Sequence, residues 1–330
     1  MKYKVIKSDV PVVWLDTHAI TTIAYEVHKK EAGKQYDANV IDAFHELAKL
    51  RIEHKVICFE SDQLLELGVR PELVKISTRV MSQLSGGLRV HDWRIKNQQV
   101  EIGIDACAKN LSSATISWRD IYENDPLEDK SFLGMVVRCD VAVPFRVSQK
   151  RAMDKITVNR WREIKEDLAK KYTSHKDRFN YQLGKERNGD WNLVKDILDY
   201  EKNDPSNVWL NFKPQLLDCH TGHWLAINPD CKDANAAVLN FFQSEYNTEL
   251  PVNDISCTLY AERLASNEDL KDSDKTDIDN IASFLPYVNY MLIDKAMIDK
   301  VEKHGLDKKY QVKLFRLKDI SDIIAEIRAK

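Results

Sequence analysis

The hydrophobic pattern at both ends of the chain predicts alternating strands and helices. Near the start, strands are predicted over 12–16 and 55–59, with an amphipathic helix over 39–50 between them and helices over 62–84. Short uninterrupted apolar runs are typical of parallel strands that are buried on both faces. The last eighty residues repeat this alternation, with helices over 256–265, 277–285, 295–303 and 320–329, and strands over 290–293 and 311–315. Both ends therefore predict an α/β fold with a parallel sheet.

The middle of the chain has a different pattern. Gly86 and Gly87 interrupt the alternation, and residues 88–104 read as two strands around Lys96–Gln98, which predicts a hairpin. Residues 135–143 alternate again, and helical periods follow over 156–171, 190–200 and 234–246. We interpret residues 85–248 as an insertion, a hairpin followed by helices, into one α/β domain formed by 1–84 and 249–330. Two independent domains in sequence remain the alternative.

Composition changes this picture little. The chain has 330 residues, 43% of them hydrophobic and 31% charged, as expected of a soluble globular protein. A net charge of -3 gives no overall attraction to nucleic acid or to an anionic membrane. Six cysteines without a CxxC pair favour a reducing, cytoplasmic setting, and the apolar runs are too short for a signal peptide or a membrane span.

Four carboxylates lie at positions where an α/β sheet presents ligands. Asp16 and Asp294 each end an apolar strand, and ligands bind at the carboxyl ends of such strands. Glu66 falls in the first turn of the helix expected after the second strand. Asp277 has Ile281 and Phe284 at i+4 and i+7 on its helix, which puts it on the buried face. Asp279 is the alternative to Asp277.

These acids predict a cation site if they converge. Two unit charges about 4 Å apart repel by about 4 kcal/mol at an effective dielectric of 20, and a divalent ion removes that cost. Hard oxygen ligands without Cys or His favour Mg²⁺ or Mn²⁺, which activates water for phosphodiester hydrolysis. Thr17 would support Asp16 through its hydroxyl. Taken singly, each acid is also explained as a helix cap or as a solvated helix residue.

The segments that carry these acids resemble the PIN-like domain nucleases. The resemblance rests on VVWLDTHAITTIA, FESDQLLEL and DIDNIASFLPYVNYMLIDKAM, and it covers about half of the chain. It implies a three-layer α/β/α PIN-like (Rossmann-like) domain with a central parallel sheet, to which the α+β, largely helical insertion predicted from the pattern would be an addition. It also implies that Asp16, Glu66, Asp277 and Asp294 bind Mg²⁺ or Mn²⁺ and act in the cleavage of RNA, less often of DNA.

A basic stretch could supply the nucleic-acid surface. Residues 146–178 contain eleven lysines and arginines against five acids. Basic and aromatic side chains on one helix could follow a phosphate backbone and stack bases. The candidate contacts are Lys150, Arg151, Arg160, Trp161 and Lys165. A solvated helix face with ion pairs such as Arg162 to Glu166 is the alternative, and the insertion could also bind a second copy or a protein partner.

Other functions remain as alternatives. The residues Asp218, Cys219, His220, His223 and Cys231 could bind zinc, but their spacing fits no strong finger pattern. A haloacid-dehalogenase-type phosphohydrolase would need an acid two residues after Asp16, where the chain has His18. No glycine-rich phosphate loop occurs. A PIN-like protein without catalysis, acting as a scaffold, is the alternative from outside the enzymes.

Overall fold

A computed structural model describes residues 1–61, 63, 71–122, 143–203 and 214–329 of the chain. These residues form two compact units. The sheet unit consists of Ile6–Arg94, Ser117–Arg160 and Lys271–Lys330. The helical unit consists of Met1–Val5, Ile95–Ile116 and Trp161–Leu270. The predicted division into residues 1–84 with 249–330 and an insertion over 85–248 stays a prediction.

Helices dominate both units. In chain order the helices are α1 Thr17–Glu31, α2 Ala38–Ile52, α3 Pro71–Ser85, α4 Asp92–Ala108, α5 Val143–Lys171, α6 His175–Arg187, α7 Gly189–Asn203, α8 Pro214–Ile227, α9 Ala234–Gln243, α10 Glu245–Thr248, α11 Pro251–Ala265, α12 Asp274–Phe284, α13 Lys295–Lys303, α14 Leu306–Lys309 and α15 Ile320–Arg328. The strands are β1 Lys2–Ile6, β2 Val12–Leu15, β3 Ile57–Cys58, β4 Ser113–Ser117, β5 Tyr290–Leu292 and β6 Lys313–Phe315.

The sheet unit is built on a parallel sheet with the strand order β3-β2-β5-β6. In the register of the central pair, Leu15 lies beside Leu292. All four residues of β2 are buried, as its uninterrupted apolar sequence requires for a strand covered on both faces. A two-stranded sheet of β1 and β4 lies outside this sheet. The predicted mixed α/β fold with a parallel sheet is confirmed.

Helices and aromatic rings cover the two faces of the parallel sheet. On one face, Val13, Leu15 and Leu292 belong to a hydrophobic cluster that also contains apolar residues of α1, α2, α3 and α15. On the other face, the Trp14 ring packs 5.3 Å from the Phe284 ring of α12. Successive strand residues point to opposite faces, so every residue of β2 contributes to one core or the other.

Helix α1 was absent from the sequence prediction. Its β-branched residues Ile20, Thr21, Thr22 and Ile23 have weak helix propensity, which obscures the helical period. Tertiary packing overrides that propensity, because Ile20, Ile23 and Ala24 are buried in the sheet-unit core. The helix therefore forms through the face that it buries.

The predicted hairpin around Lys96–Gln98 is wrong, because this segment lies inside the helix α4. Its buried residues include Ile95, Gln99, Val100 and Ile104, at spacings of four, five and nine residues from Ile95. These are helical spacings. The apparent alternation in the sequence came from a few residues that also fit a period of two.

Most other predicted helices and strands are confirmed with shifted ends. The helix predicted over 295–303 has those ends, and the helix predicted over 277–285 begins earlier, at Asp274. The second strand is shorter than predicted and is extended by a parallel bridge between Glu60 and Arg89. The alternating pattern over 135–142 lies outside the described residues. Among the described residues, no helix has the length and apolar character needed to cross a membrane.

The helical unit packs closely around a glycine in α4. A Cβ atom at Gly103 would lie 3.0 and 3.1 Å from ring atoms of Phe241 and 3.2 Å from the Tyr3 hydroxyl. Phe241 is fully buried, so its ring has little room to move away. Gly184 in α6 offers a contrast, because nothing lies within 4 Å of the corresponding Cβ position.

We expect Gly103→Ala to lower the free energy of unfolding by about 1–2 kcal/mol, because the steric cost of the added methyl group in this packed core exceeds the gain in helix propensity. Gly184→Ala should raise it by about 0.5–1 kcal/mol, because alanine favours the helix and meets no obstacle. Urea denaturation of both variants measures the difference. Equal effects of the two substitutions would contradict the close packing at Gly103.

Candidate functional site

Asp16 links the central strand to the helix that follows it. Its backbone N–H donates to the Leu292 carbonyl at 3.0 Å, which continues the pairing of β2 with β5 by one residue. Its Oδ1 accepts a hydrogen bond from the Ala19 N–H at 2.6 Å and caps α1. One carboxylate therefore ends a strand and begins a helix.

Asp294 has the same role on the neighbouring strand. Its Oδ1 accepts from the Met297 N–H at 2.8 Å and caps α13, shortly after β5 ends at Leu292. The register of the two parallel strands puts Leu15 beside Leu292. Asp16 and Asp294 therefore both lie at the carboxyl edge of the sheet, after adjacent strands.

Asp277 lies in the first turn of a helix, α12, which ends a few residues before β5 begins. A helix that leads into a parallel strand usually runs antiparallel to it, so we expect this first turn on the side of the carboxyl ends of the strands. Asp277 is half-buried and shares a face with the buried Phe284. Asp279, the alternative, is ion-paired with Lys275 at the helix surface. A third acid that the sequence did not single out, Asp274, is buried and accepts from the Lys271 N–H at 2.7 Å.

The fourth predicted acid, Glu66, lies outside the described residues. The end of β3 leads toward it through a run of buried polar residues that the sequence reasoning missed: Glu60, Ser61 and Gln63. Gln63 is fully buried, and its side-chain amide donates to the Leu15 carbonyl at 2.5 Å, next to Asp16. Polar residues directly after a buried strand were the available signal, because that position lies at the ligand-binding edge.

Each of the two carboxylates of Asp16 and Asp294 is stabilised by the helix that it caps, through a backbone N–H and the helix dipole. Among the described residues, no group of three or more His, Cys, Asp or Glu side chains could hold a metal ion. Asp16, Asp277 and Asp294 alone therefore do not make a complete metal site.

The predicted nucleic-acid contacts on α5 divide into different environments. Trp161 is only 9% exposed, and its ring packs 5.3 Å from Tyr260, so the prediction that it stacks bases is wrong. Lys165 Nζ donates to the Glu268 carbonyl at 2.6 Å, and Arg160 is exposed. The side chains of Lys150 and Arg151 lie outside the described part of the chain. Among the predicted contacts whose side chains the structure describes, Arg160 is the exposed one.

The histidines considered for zinc have protein partners instead. His223 Nε2 lies 2.7 Å from Asp105 Oδ1, and His220 is buried with its ring against Phe242. Burial, and then the nearby His223, lowers the pKa of His220 from 6.5 to about 4. His220 is therefore a neutral core residue at pH 7.

Comparison with known proteins adds no relative. No protein-family model, no curated protein and no solved structure matches the chain.

Replacing Asp16 tests its capping role. We expect Asp16→Ala to lower the free energy of unfolding by about 1 kcal/mol, because the Ala19 N–H loses its acceptor. Asp16→Asn should lower it by much less, because asparagine is an equally good cap. Chemical denaturation of the two variants makes the comparison. A similar loss in both would show that the charge, and not the cap, stabilises this position.

His220 predicts a loss of stability in mild acid. Because its pKa is lowered to about 4 in the folded chain, the unfolded chain binds more protons as the pH falls from about 6.5 to 4. Protonation of this residue in the unfolded chain therefore leaves the free energy of unfolding almost unchanged above about pH 6.5 and lowers it by about 2 kcal/mol at pH 5. Urea denaturation at pH 7 and pH 5 should show a smaller difference for His220→Gln than for the wild type. An unchanged difference would contradict this assignment.

Proposed function

We propose that the protein is a PIN-like, divalent-metal-dependent nuclease, most directly an endoribonuclease. One observation supports this above all: Asp16 and Asp294 follow adjacent parallel strands in a register that brings them to one edge of the sheet. Acidic side chains at this edge are suited to chemistry on a phosphodiester, because they can hold a cation against it.

In this proposal Asp16, Glu66, Asp277 and Asp294 hold Mg²⁺ or Mn²⁺. The donor set fits a hard cation, since it consists of carboxylate oxygens. The bound ion would polarise a phosphate oxygen and make a bound water more acidic. The described acids are an incomplete set, and the proposal depends on Glu66 to add a further carboxylate. Asp279, which is ion-paired with Lys275, remains the alternative to Asp277.

The surrounding chain keeps the acids in position. The caps fix Asp16 and Asp294 through one carboxylate oxygen each. Gln63 holds the end of β2 through the Leu15 carbonyl. Rigid positions on strand ends reduce the cost of bringing like charges together when a cation binds.

A scaffold without catalysis is the second candidate, and a specific observation favours it. Both Asp16 and Asp294 cap helices, and no group of three or more His, Cys, Asp or Glu side chains among the described residues could hold a metal ion. A protein that kept these aspartates only for folding would have the same local geometry. Activity, and not geometry, separates the two candidates.

We expect Asp16→Asn and Asp294→Asn to reduce Mn²⁺-dependent cleavage of single-stranded RNA by more than about 100-fold, because each removes a charged metal ligand. Both variants should stay folded, since asparagine preserves the cap. Cleavage is measured on a labelled RNA with Mn²⁺ and again with EDTA.

Asp233→Asn is the matched control. Asp233 also caps a helix, α9, and accepts from the N–H three residues ahead, that of Ala236, at 2.9 Å. Unlike Asp16 and Asp294, it does not follow a strand. This variant should cut RNA as the wild type does. Full cleavage by Asp16→Asn, or no metal-dependent cleavage by the wild type, would reject the nuclease and leave the scaffold.

A further inference from the structure

One exposed face of α1 leads away from the edge where Asp16 lies. His18, Thr22, Tyr25 and Lys29 follow one another at i, i+4, i+7 and i+11, and we call this stripe the α1 face. It lies opposite Ile20, Ile23 and Ala24, which are buried in the core. The α1 face is therefore the solvent side of the helix that Asp16 caps.

Two tyrosines at this helix combine an exposed ring with a lysine. Tyr25 is 47% exposed, and Lys29 Nζ lies 4.5 Å from its ring centroid. Just beyond the helix, Tyr36 is 39% exposed, with Lys30 Nζ 5.6 Å from its ring centroid. Exposed aromatic rings beside cations are the composition that binds single-stranded nucleic acid.

The acids near these tyrosines are already paired. Glu26 accepts from Lys29 Nζ at 2.8 Å and from the Asp37 N–H at 2.7 Å, and the lysine lowers the pKa of this carboxyl. Glu31 is ion-paired with Arg79. Within the described chain, Lys30 and Lys34 are exposed and form no ion pair with a carboxylate. The positive charge at this end of α1 is therefore available to a polyanion.

We propose that single-stranded RNA binds along the α1 face, with a base stacked on Tyr25 and a phosphate beside Lys30 at the end of the helix. A helix rises 1.5 Å per residue, so Tyr25 lies about 14 Å and Lys30 about 21 Å along the axis from Asp16. A strand that is cut at the sheet edge could reach both. An unpaired strand is required, because bases within a duplex cannot stack on a side chain. This proposal rests on the proposed nuclease function, because the proposed cleavage site at Asp16 sets the end of α1 from which the RNA strand would run.

Fluorescence anisotropy with a short labelled single-stranded RNA tests the stacking. The measurement is made in EDTA, so that no metal-dependent cleavage occurs. Tyr25→Leu should raise the Kd by about 5- to 20-fold, and Tyr25→Phe should bind nearly as the wild type does, because it keeps the ring. Tyr181→Leu is the matched control. Tyr181 is also an exposed tyrosine on a helix, with Lys185 Nζ 5.6 Å from its ring centroid, and its loss should leave the Kd unchanged.

The salt dependence of binding tests the lysines. For single strands, a plot of the logarithm of the association constant against the logarithm of the salt concentration has a negative slope. This slope becomes less steep by about 0.7 for each phosphate contact that is lost. Lys30→Gln should produce that change, and Lys185→Gln should not. An unchanged Kd for Tyr25→Leu, equal effects at Tyr25 and Tyr181, or equally tight binding of duplex RNA or single-stranded DNA would overturn the proposal.

A cleavage assay separates this proposal from the proposed nuclease function. If the wild type binds RNA through Tyr25 in EDTA but cuts none with Mn²⁺, the nuclease function is rejected and RNA binding on the α1 face is supported. If the wild type cuts RNA with Mn²⁺ but Tyr25→Leu binds and cuts as the wild type does, RNA binding on the α1 face is rejected and the nuclease function is supported.

Discussion

The parallel pairing of β2 with β5 is the interaction on which the rest of the structure depends. It joins residues that are almost 280 positions apart, with Leu15 beside Leu292 and the Asp16 N–H bonded to the Leu292 carbonyl. Val13 and Leu15 pack in the hydrophobic cluster on one face, and Trp14 packs on Phe284 on the other, so a shifted register would disturb both cores. The same register fixes where both strands end. It therefore also fixes Asp16 and Asp294 at the carboxyl edge of the sheet.

The proposed cation site would use residues that already serve the fold. Asp16 and Asp294 each satisfy a helix N-terminus, so stability alone is a reason to retain them. Serine or threonine could cap both helices as well, but only a carboxylate would also serve the proposed cation. The polar residues buried at the end of β3, with Gln63 bonded to the Leu15 carbonyl, add further polar groups near this edge.

The sequence predicted the parallel sheet because β2, β3 and β5 are uninterrupted apolar runs, and a strand buried on both faces has no other pattern. It could not predict α1, whose β-branched residues form a helix only through tertiary packing, and it misread α4 because a short stretch fits two periods. At the site, strand ends located Asp16 and Asp294. The burial of Trp161, Gln63 and Asp274 depends on neighbours that are distant in sequence, and local pattern carries no information about them.

The central claim is that this edge of the sheet binds a divalent cation. Crystals grown with Mn²⁺ and measured at a wavelength with manganese anomalous signal test it most directly. The account predicts an anomalous peak within coordination distance, roughly 2.1 Å, of carboxylate oxygens of both Asp16 and Asp294, with Glu66 completing the site. Crystals grown at saturating Mn²⁺ that show no anomalous peak at these two aspartates, or a peak only elsewhere, would contradict it.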